Sequence, residues 1–366
     1  MNNALRFLGL AAIAAAIAPA AGAQTLERRV AGAADGPVQF HFTARDGVCG
    51  NGRTFMRAED GGYYMSYNNS DGNGRDTCAV GPIRVVVARA GKEIVKIETY
   101  AGPLANDPEG GADLGAVSTR DAANYLLGLA GSLEGRPARD AMLPAMLADS
   151  TQVTNTLLAL AKDQSRPRDV RRSAITWLSR RRDESGGVGA AAVVRALDQL
   201  VRDRNENESI RSAALGTVSG LDRGEGIPTL VTYAGDADTW LAKQAFTSLS
   251  RSGDPRARQF VRASLKRTDL SEESRVTAIQ GIGGEQATGS DIKLLRDLYP
   301  SLNSDRERDA VLSSVANAGG NDNATWLLAI AKSPTEPANR RKRAVSLLSR
   351  SDDPRVKDAL KELIER

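Results

Sequence analysis

The sequence contains few of the residues that most often carry catalysis. It has one histidine, His41, and two cysteines, Cys49 and Cys78. A serine or cysteine nucleophile with a histidine base would have to use His41, which occupies a polar position in an alternating segment. The sequence also lacks the zinc-protease, nucleophile-elbow and phosphate-loop motifs. We therefore expect a non-catalytic protein without a cofactor or metal, with a carboxylate-only envelope hydrolase as the remaining enzymatic alternative.

Long apolar runs are missing after the first residues. Residues 1–23 hold one basic residue, Arg6, followed by an apolar run from Phe7 to Ile17 and small residues at 21–23. This order predicts a secretory signal peptide that is cleaved before Gln24. The alternative, a membrane anchor, needs about 20 apolar residues. We predict an exported protein, periplasmic or secreted in a bacterium, with no transmembrane segment after cleavage.

A strong excess of one charge is missing as well. The chain has 49 basic and 45 acidic residues and a net charge of +4. This mixed surface argues against a dedicated nucleic-acid binder. Contact with an anionic surface is expected to be weak at most.

Residues 24–110 contain short alternating runs of apolar and polar residues. In VQFHFT, Val38, Phe40 and Phe42 alternate with polar residues, and this period of two predicts a strand. Further candidate strands are YYMSY at 63–67, IRVVVAR at 83–89 and EIVKIETY at 93–100. Gly91 suits a hairpin turn between the last two. We expect a small antiparallel β module.

Both cysteines fall in this module. In an oxidising compartment they can pair, and closing the loop between them would stabilise the module by about 3.5 kcal/mol. A metal site is the competing interpretation, but two thiols and His41 do not supply four ligands at a usual spacing. We therefore predict a disulfide between Cys49 and Cys78.

Helical periodicity begins after a predicted linker. The segment NDPEGGADLG at 106–115 has the composition of a linker. Ser118 can cap a helix that follows it, with Asp121 completing a capping box. Further helices are predicted at about 139–149 and 152–163. We assign 111–165 to a helical linker, an N-terminal cap or degenerate repeats.

Residues 166–366 repeat about every 33 residues, in about six units. A small residue, which we call the anchor, stands in the middle of the first helix of each unit. The residue after it is apolar and the fourth after it is aliphatic, so each first helix has one apolar face. The anchors are Ala174, Ala214, Ala245, Ala278, Val311 and Ala344.

A second helix is predicted in each unit. The stretches SRSGDPRARQFVRASLKR and SRSDDPRVKDALKELIER begin at Ser250 and Ser349. In them, Asp254 and Asp353 are predicted to cap the second helix, and the prolines that follow suit its first position. Because a hairpin of two helices cannot bury its own apolar face, we expect the hairpins to stack on one core.

Units of the form NRRKRAVSLLSRSDDPRVKDALKELIE resemble HEAT repeats, specifically the short bacterial form known from phycobilisome lyases. The resemblance covers about 169–366, and the whole chain is similar to exported bacterial HEAT-repeat proteins. It implies a mostly α fold, a right-handed α-solenoid of helical hairpins behind the β module. It also implies a protein-binding scaffold, and it does not imply lyase chemistry.

An arginine stands three residues before five of the six anchors. Five such residues could form an anion-binding column, or a structural ladder in which each arginine bonds the next repeat. Their position beside the buried face favours the ladder. The five are Arg171, Arg211, Arg275, Arg308 and Arg341.

Basic residues also cluster around the first unit, from Arg166 to Arg182. For this cluster we favour a solvated face over a polyanion site. The leading functional expectation is that a groove lined by the second helices binds an unidentified envelope protein or peptide. The alternative is binding of an anion, a lipid surface or an acidic partner through the arginine column.

Overall fold

The computed structural model describes most of the chain after residue 24. The described residues are 25–58, 63–66, 78–104, 111–148, 153–180, 189–221, 224–267, 269–284, 287–350, 356–358 and 360–361. The predicted signal peptide at 1–23 and the predicted cap at Asp353 lie outside them, as do Arg181 and Arg182.

Strands near the N-terminus form two sheets. The strands are β1 Val38–Phe42, β2 Val48–Gly50, β3 Phe55–Ala58, β4 Tyr63–Ser66, β5 Ile83–Ala90, β6 Glu93–Ala101 and β7 Ala112–Ala116. The first sheet has the order β6-β5-β1-β7 and the second the order β2-β3-β4.

Several predicted strands are confirmed. Val38, Phe40 and Phe42 of β1 are buried and alternate with half-buried residues. β5 and β6 form the expected antiparallel hairpin, with a turn at Gly91. The φ of Gly91 is 61°, a left-handed conformation that glycine adopts without a steric penalty.

The segment after the β5–β6 hairpin differs from the expectation. β7 overlaps the predicted linker at 106–115, so that interpretation is wrong for residues 112–115. β7 pairs in parallel with β1, which makes the first sheet mixed rather than purely antiparallel. The sequence ADLGA has neither β-branched residues nor a regular alternation, so β7 is defined by its pairing with β1 and not by its own propensity.

The described chain is mainly helical after β7. One further short helix, α1, precedes the sheets. The cap at Ser118 is confirmed, since its hydroxyl accepts a hydrogen bond from the Asp121 amide. The helices are α1 Leu26–Gly32, α2 Thr119–Ser132, α3 Gly135–Asp140, α4 Met142–Met146, α5 Thr154–Lys162, α6 Arg168–Leu178, α7 Ala190–Arg202, α8 Glu208–Ser219, α9 Ile227–Tyr233, α10 Thr239–Arg251, α11 Pro255–Ser264, α12 Glu272–Ile282, α13 Gly289–Leu298, α14 Asp305–Ala318, α15 Asn321–Lys332 and α16 Ala338–Leu348.

First and second helices alternate from α6 onward, which gives the HEAT-like α-solenoid. The first helices are α6, α8, α10, α12, α14 and α16, and each holds one anchor near its middle. All six anchors are fully buried. In the third unit Asp254 caps α11 and Pro255 occupies its first position, as the repeated stretch predicts.

The β module packs on the first helices of the helical region. The ring of Phe40 lies edge-on to that of Tyr125 in α2, with 6.1 Å between centroids. The Arg45 amide donates to the Leu147 carbonyl at 2.9 Å, just after α4. One apolar core joins the module to the solenoid. The module thus covers the α2–α4 end of the helical stack.

Candidate functional site

The first helices form a continuous layer. α6 packs on α8, α8 on α10, α10 on α12, α12 on α14 and α14 on α16. A small residue near the middle of each helix permits this close approach. Side chains that point away from the shared core therefore lie side by side along the stack.

The arginine at the start of the first unit faces inward. The Arg171 side chain is 5% exposed, and its terminal nitrogens donate to the carboxylate of Glu206 in the next connection. Its Nε donates to the carbonyl of Ala161, at 3.0 Å, near the end of α5. These bonds, first among several causes, hold the pKa of Glu206 below its usual range. Arg171 therefore joins three successive segments of the stack.

Two other arginines of the column repeat this arrangement. Arg211 Nε donates to the Val201 carbonyl at 2.8 Å, and its Nη2 lies 3.4 Å from an Asp238 oxygen. Arg275 donates to the Leu265 carbonyl, and its Nε lies 3.1 Å from a Glu307 oxygen. In each case a carbonyl ten residues earlier and a carboxylate of the next unit are bound.

The last two arginines differ. Arg308 donates to the Leu302 carbonyl at 2.8 Å and lies over the Tyr299 ring. The Nε of Arg341 is buried and has no hydrogen-bond partner among the described residues. Four of the five side chains are thus bonded within the protein, an arrangement that favours a ladder over an open anion column.

An unanticipated pattern lies on the exposed side of the first helices. We define the outer row of a first helix as the residues two before, two after and six after its anchor. Residues at this spacing share one helical face. Three units place a hydroxyl between two cations, and these rows are Arg172, Thr176 and Arg180; Lys243, Thr247 and Arg251; and Lys342, Ser346 and Arg350.

The other three outer rows carry little charge. The acid among them, Asp309, is paired with Arg343 of the next unit at 2.6 Å. The rows are Ser212, Gly216 and Gly220; Val276, Gln280 and Gly284; and Asp309, Ser313 and Asn317. The six outer rows together, which we call the first-helix face, therefore carry an excess of positive charge. The basic and hydroxyl residues of these rows stand at fixed offsets from the anchors, so the pattern is present in the sequence. Because the arginine column stands only one residue before the rows, the two patterns are easily taken for one.

A groove of about 680 Å³ lies on this face between α10 and α12. Lys243, Thr247 and Arg251 line one side, and Thr277 and Gln280 line the other. It is lined by first helices, whereas the sequence predicts a binding groove along the second helices.

One buried carboxylate was not identified from the sequence. Asp291 of α13 is fully buried and accepts hydrogen bonds from Arg258 and Arg262 of α11. It also closes a capping box with Thr288. Burial alone would raise the pKa of Asp291, but the hydrogen bonds from Arg262, Thr288 and Arg258 outweigh it and lower the pKa. Asp291 is therefore a structural link between the third and fourth units.

Two tryptophans of the repeats and the single histidine lie beside residues of neighbouring elements. Trp240 Nε1 donates to Glu208, and Trp326 packs edge-on to Tyr299. Half-buried His41 lies in β1, opposite Arg84 of β5. Within the described ranges, no group of three or more histidine, cysteine or acidic residues is placed to hold a metal.

Two further findings concern the cysteines and the possibility of a membrane-spanning helix. Cys49 and Cys78 form a disulfide, with Cα atoms 5.0 Å apart. Among the helices that the structure describes, none has both the length and the apolar character needed to cross a bilayer.

Two family models match the chain. Residues 194–278 match the model described as HEAT repeats, so this region consists of HEAT repeats. Residues 145–223 match the model described as an uncharacterised protein family, UPF0147. No curated protein matches the chain.

Solved structures match over larger parts of the chain. The complex of CpcE and CpcF of phycocyanin lyase from Nostoc sp. PCC7120 is 18% identical, with 58% of this chain and 95% of that chain covered and a TM-score of 0.29. Human deoxyhypusine hydroxylase in complex with glycerol is 14% identical, with 67% and 96% covered and a TM-score of 0.25. A structure on the interaction between cadherin and beta-catenin is 15% identical, with 65% and 54% covered and a TM-score of 0.28. Similarity at these TM-scores says nothing about what this chain does.

Proposed function

We propose that the chain is a non-catalytic scaffold that binds a protein or peptide partner through its first-helix face. The observation that carries this proposal is the outer-row pattern. Three of the six first helices, α6, α10 and α16, place a hydroxyl between two basic residues at the same offsets, and all six first helices pack side by side. Arrays of stacked repeats provide extended surfaces of this kind, and such surfaces suit polypeptide partners.

We place this activity outside the cytoplasm, in the periplasm or in the secreted fraction, where the partner is another envelope protein. The disulfide between Cys49 and Cys78 supports this setting, because disulfides persist in oxidising compartments. The sequence of residues 1–23 supports it as well, since it has the order of a signal peptide.

The arginine column gives less support to anion binding than the outer rows do. Arg171, Arg211 and Arg275 have carboxylates of the protein as partners. By contrast, Arg172 and Arg251 of the outer rows are exposed, and neither side chain has a partner among the described residues. An acidic partner would therefore meet the outer rows and not the column.

A hydrolase that uses only carboxylates receives little support. The acidic pair Glu272 and Glu273 begins α12, where negative charge is favoured at a helix N-terminus. Each of the two is also paired with a basic residue of a neighbouring unit, Arg306 and Lys243 respectively. These contacts account for the pair without catalysis.

Site-specific photocrosslinking in cells tests the proposal. A photoreactive residue placed at Thr247 or Ser346 of the first-helix face should crosslink one reproducible partner. The same group at Gln259, on the exposed side of α11, and at Val95, which is 53% exposed in the β module, serves as the control. Crosslinks from the control positions alone would refute the first-helix face as the binding surface.

A further inference from the structure

The two ends of the groove between α10 and α12 differ in charge. At one end Lys243 is paired with Glu273 across the groove, at 2.5 Å. At the other end Arg251 is exposed and makes no ion pair or side-chain hydrogen bond to a described residue. One end is thus neutralised within the protein, whereas the other presents an open guanidinium.

Two hydroxyls between these ends can only accept hydrogen bonds. Thr247 Oγ1 donates its proton to the Lys243 carbonyl, and Thr277 Oγ1 donates to the Glu273 carbonyl, each at 3.0 Å. Their remaining lone pairs are acceptors. A ligand that meets these two hydroxyls must therefore supply hydrogen-bond donors such as N–H groups, and the Arg251 end favours an anionic group.

The dimensions of the groove suit a short extended chain. Lys243 and Arg251 are eight residues apart on one helix, which corresponds to about 12 Å along its axis. An extended polypeptide covers about 3.3 Å per residue, so about four residues fit this length. Gly284 on the opposite wall has no side chain, and a β-carbon built on it would meet only two backbone oxygens of its own segment, at 3.4 Å, which leaves room for a backbone.

We propose that this groove binds an extended acidic segment of a partner polypeptide, with an aspartate or glutamate side chain bonded to Arg251. The backbone N–H groups of the segment meet the hydroxyls of Thr247 and Thr277. A guanidinium favours a carboxylate because it can donate two parallel hydrogen bonds to it. This inference rests on the proposed function. It specifies that the partner segment is acidic and that it binds in the groove between α10 and α12.

An anionic membrane fits the same surface less well. Membrane-surface binding combines cations with exposed apolar side chains that enter the bilayer. Among the described residues, the large exposed apolar side chains are Val80, Val95 and Leu104, all in the β module. The groove is also a recess between two helices, which a flat bilayer does not fill.

Fluorescence anisotropy with the full chain tests the proposal. The probes are an eight-residue peptide rich in aspartate and glutamate and a matched peptide with asparagine and glutamine in their place. Arg251→Gln removes the open guanidinium. Arg195→Gln is the control, because Arg195 of α7 is also exposed and has no side-chain partner among the described residues. Thermal melting checks that both variants fold.

We expect the acidic peptide to bind at least tenfold more tightly than the neutral one, and Arg251→Gln to weaken its binding about tenfold. Arg195→Gln should leave the affinity unchanged. Equal binding of both peptides, or equal effects of both variants, would overturn the proposal.

Two further measurements separate this inference from the proposed function. Vesicles of phosphatidylglycerol are offered to the same proteins. Retention on vesicles that is lost in Arg251→Gln, without acidic-peptide binding, would overturn the peptide proposal in favour of a membrane surface. If Thr247 crosslinks a partner but the acidic peptide does not bind, the scaffold proposal stands and the acidic segment is wrong.

Discussion

Ser250 of α10 lies directly against Gly281 of α12. A β-carbon built on Gly281 would be 2.0 Å from both the β-carbon and the hydroxyl oxygen of Ser250. The next pair of first helices meets in the same way, since a β-carbon on Gly283 would be 2.2 Å from that of Ser314. Serine and glycine at these contacts therefore let the ends of successive first helices approach closely.

We predict that Gly281→Ala destabilises the solenoid. Overpacking of a closely packed contact costs about 1–3 kcal/mol, and the better helix propensity of alanine offsets less than about 1 kcal/mol. Gly216→Ala is the matched control, because no atom lies within 4 Å of its built β-carbon in the middle of α8. The control should raise the free energy of unfolding in denaturant titration by about 0.5–1 kcal/mol. Equal effects of the two substitutions would contradict the contact.

We also predict that a change at Ser250 rescues this clash. Ser250→Gly removes the atoms that a β-carbon at residue 281 would strike, so the double variant should be more stable than Gly281→Ala alone. Denaturant titration of the two single variants and the double variant gives the coupling energy. A coupling of zero would show that the two positions do not touch.

The repeat architecture was predictable because one physical requirement recurs in every unit. A small buried residue followed by apolar residues at fixed offsets is visible at Ala174 and again at Ala344, and the structure buries both. The Asp254–Pro255 start of α11 was predictable for the same reason, since capping chemistry is local.

Features that depend on distant pairing were not predictable. β7 acquires its strand conformation from β1, about 70 residues earlier, and its own sequence has no strand pattern. The carboxylate partners of the arginine ladder stand at irregular distances along the chain, 35 residues for Arg171 and 27 for Arg211. The groove between α10 and α12 depends on how two helices lie side by side, which no local pattern specifies.

The disulfide leads to a third prediction. Cys49 and Cys78 are 29 residues apart, and Gly50 and Ala79 beside them exchange two backbone hydrogen bonds of 3.0 Å. Replacing both cysteines with serine should destabilise the β module by about 3.5 kcal/mol, the entropy of the loop that the bond closes. Hydrogen exchange should show faster exchange in β2, β3, β5 and β6, with α12–α16 unchanged. Uniform acceleration along the chain would show that the module and the solenoid unfold as one unit.

The ion pair between Arg171 and Glu206 leads to a prediction on pH. Both side chains are 5% exposed, so Glu206→Gln leaves an unpaired buried guanidinium and should cost about 3 kcal/mol. Arg172→Gln, one residue away and exposed, is the control and should change stability by less than about 0.5 kcal/mol.

The sign of the pH dependence follows from the lowered pKa of Glu206. Its usual pKa is about 4.3, and a folded-state pKa below this value adds stability that is complete from about one pH unit above 4.3 upward. This stability is lost as the pH falls from about 4.3 through the folded-state pKa, because the unfolded chain then binds the proton more readily. The difference in unfolding free energy between the wild-type protein and Glu206→Gln should therefore be constant from pH 7 to about pH 5.5 and shrink below it. A difference that persists unchanged in acid would show that Glu206 contributes through packing and not through its charge.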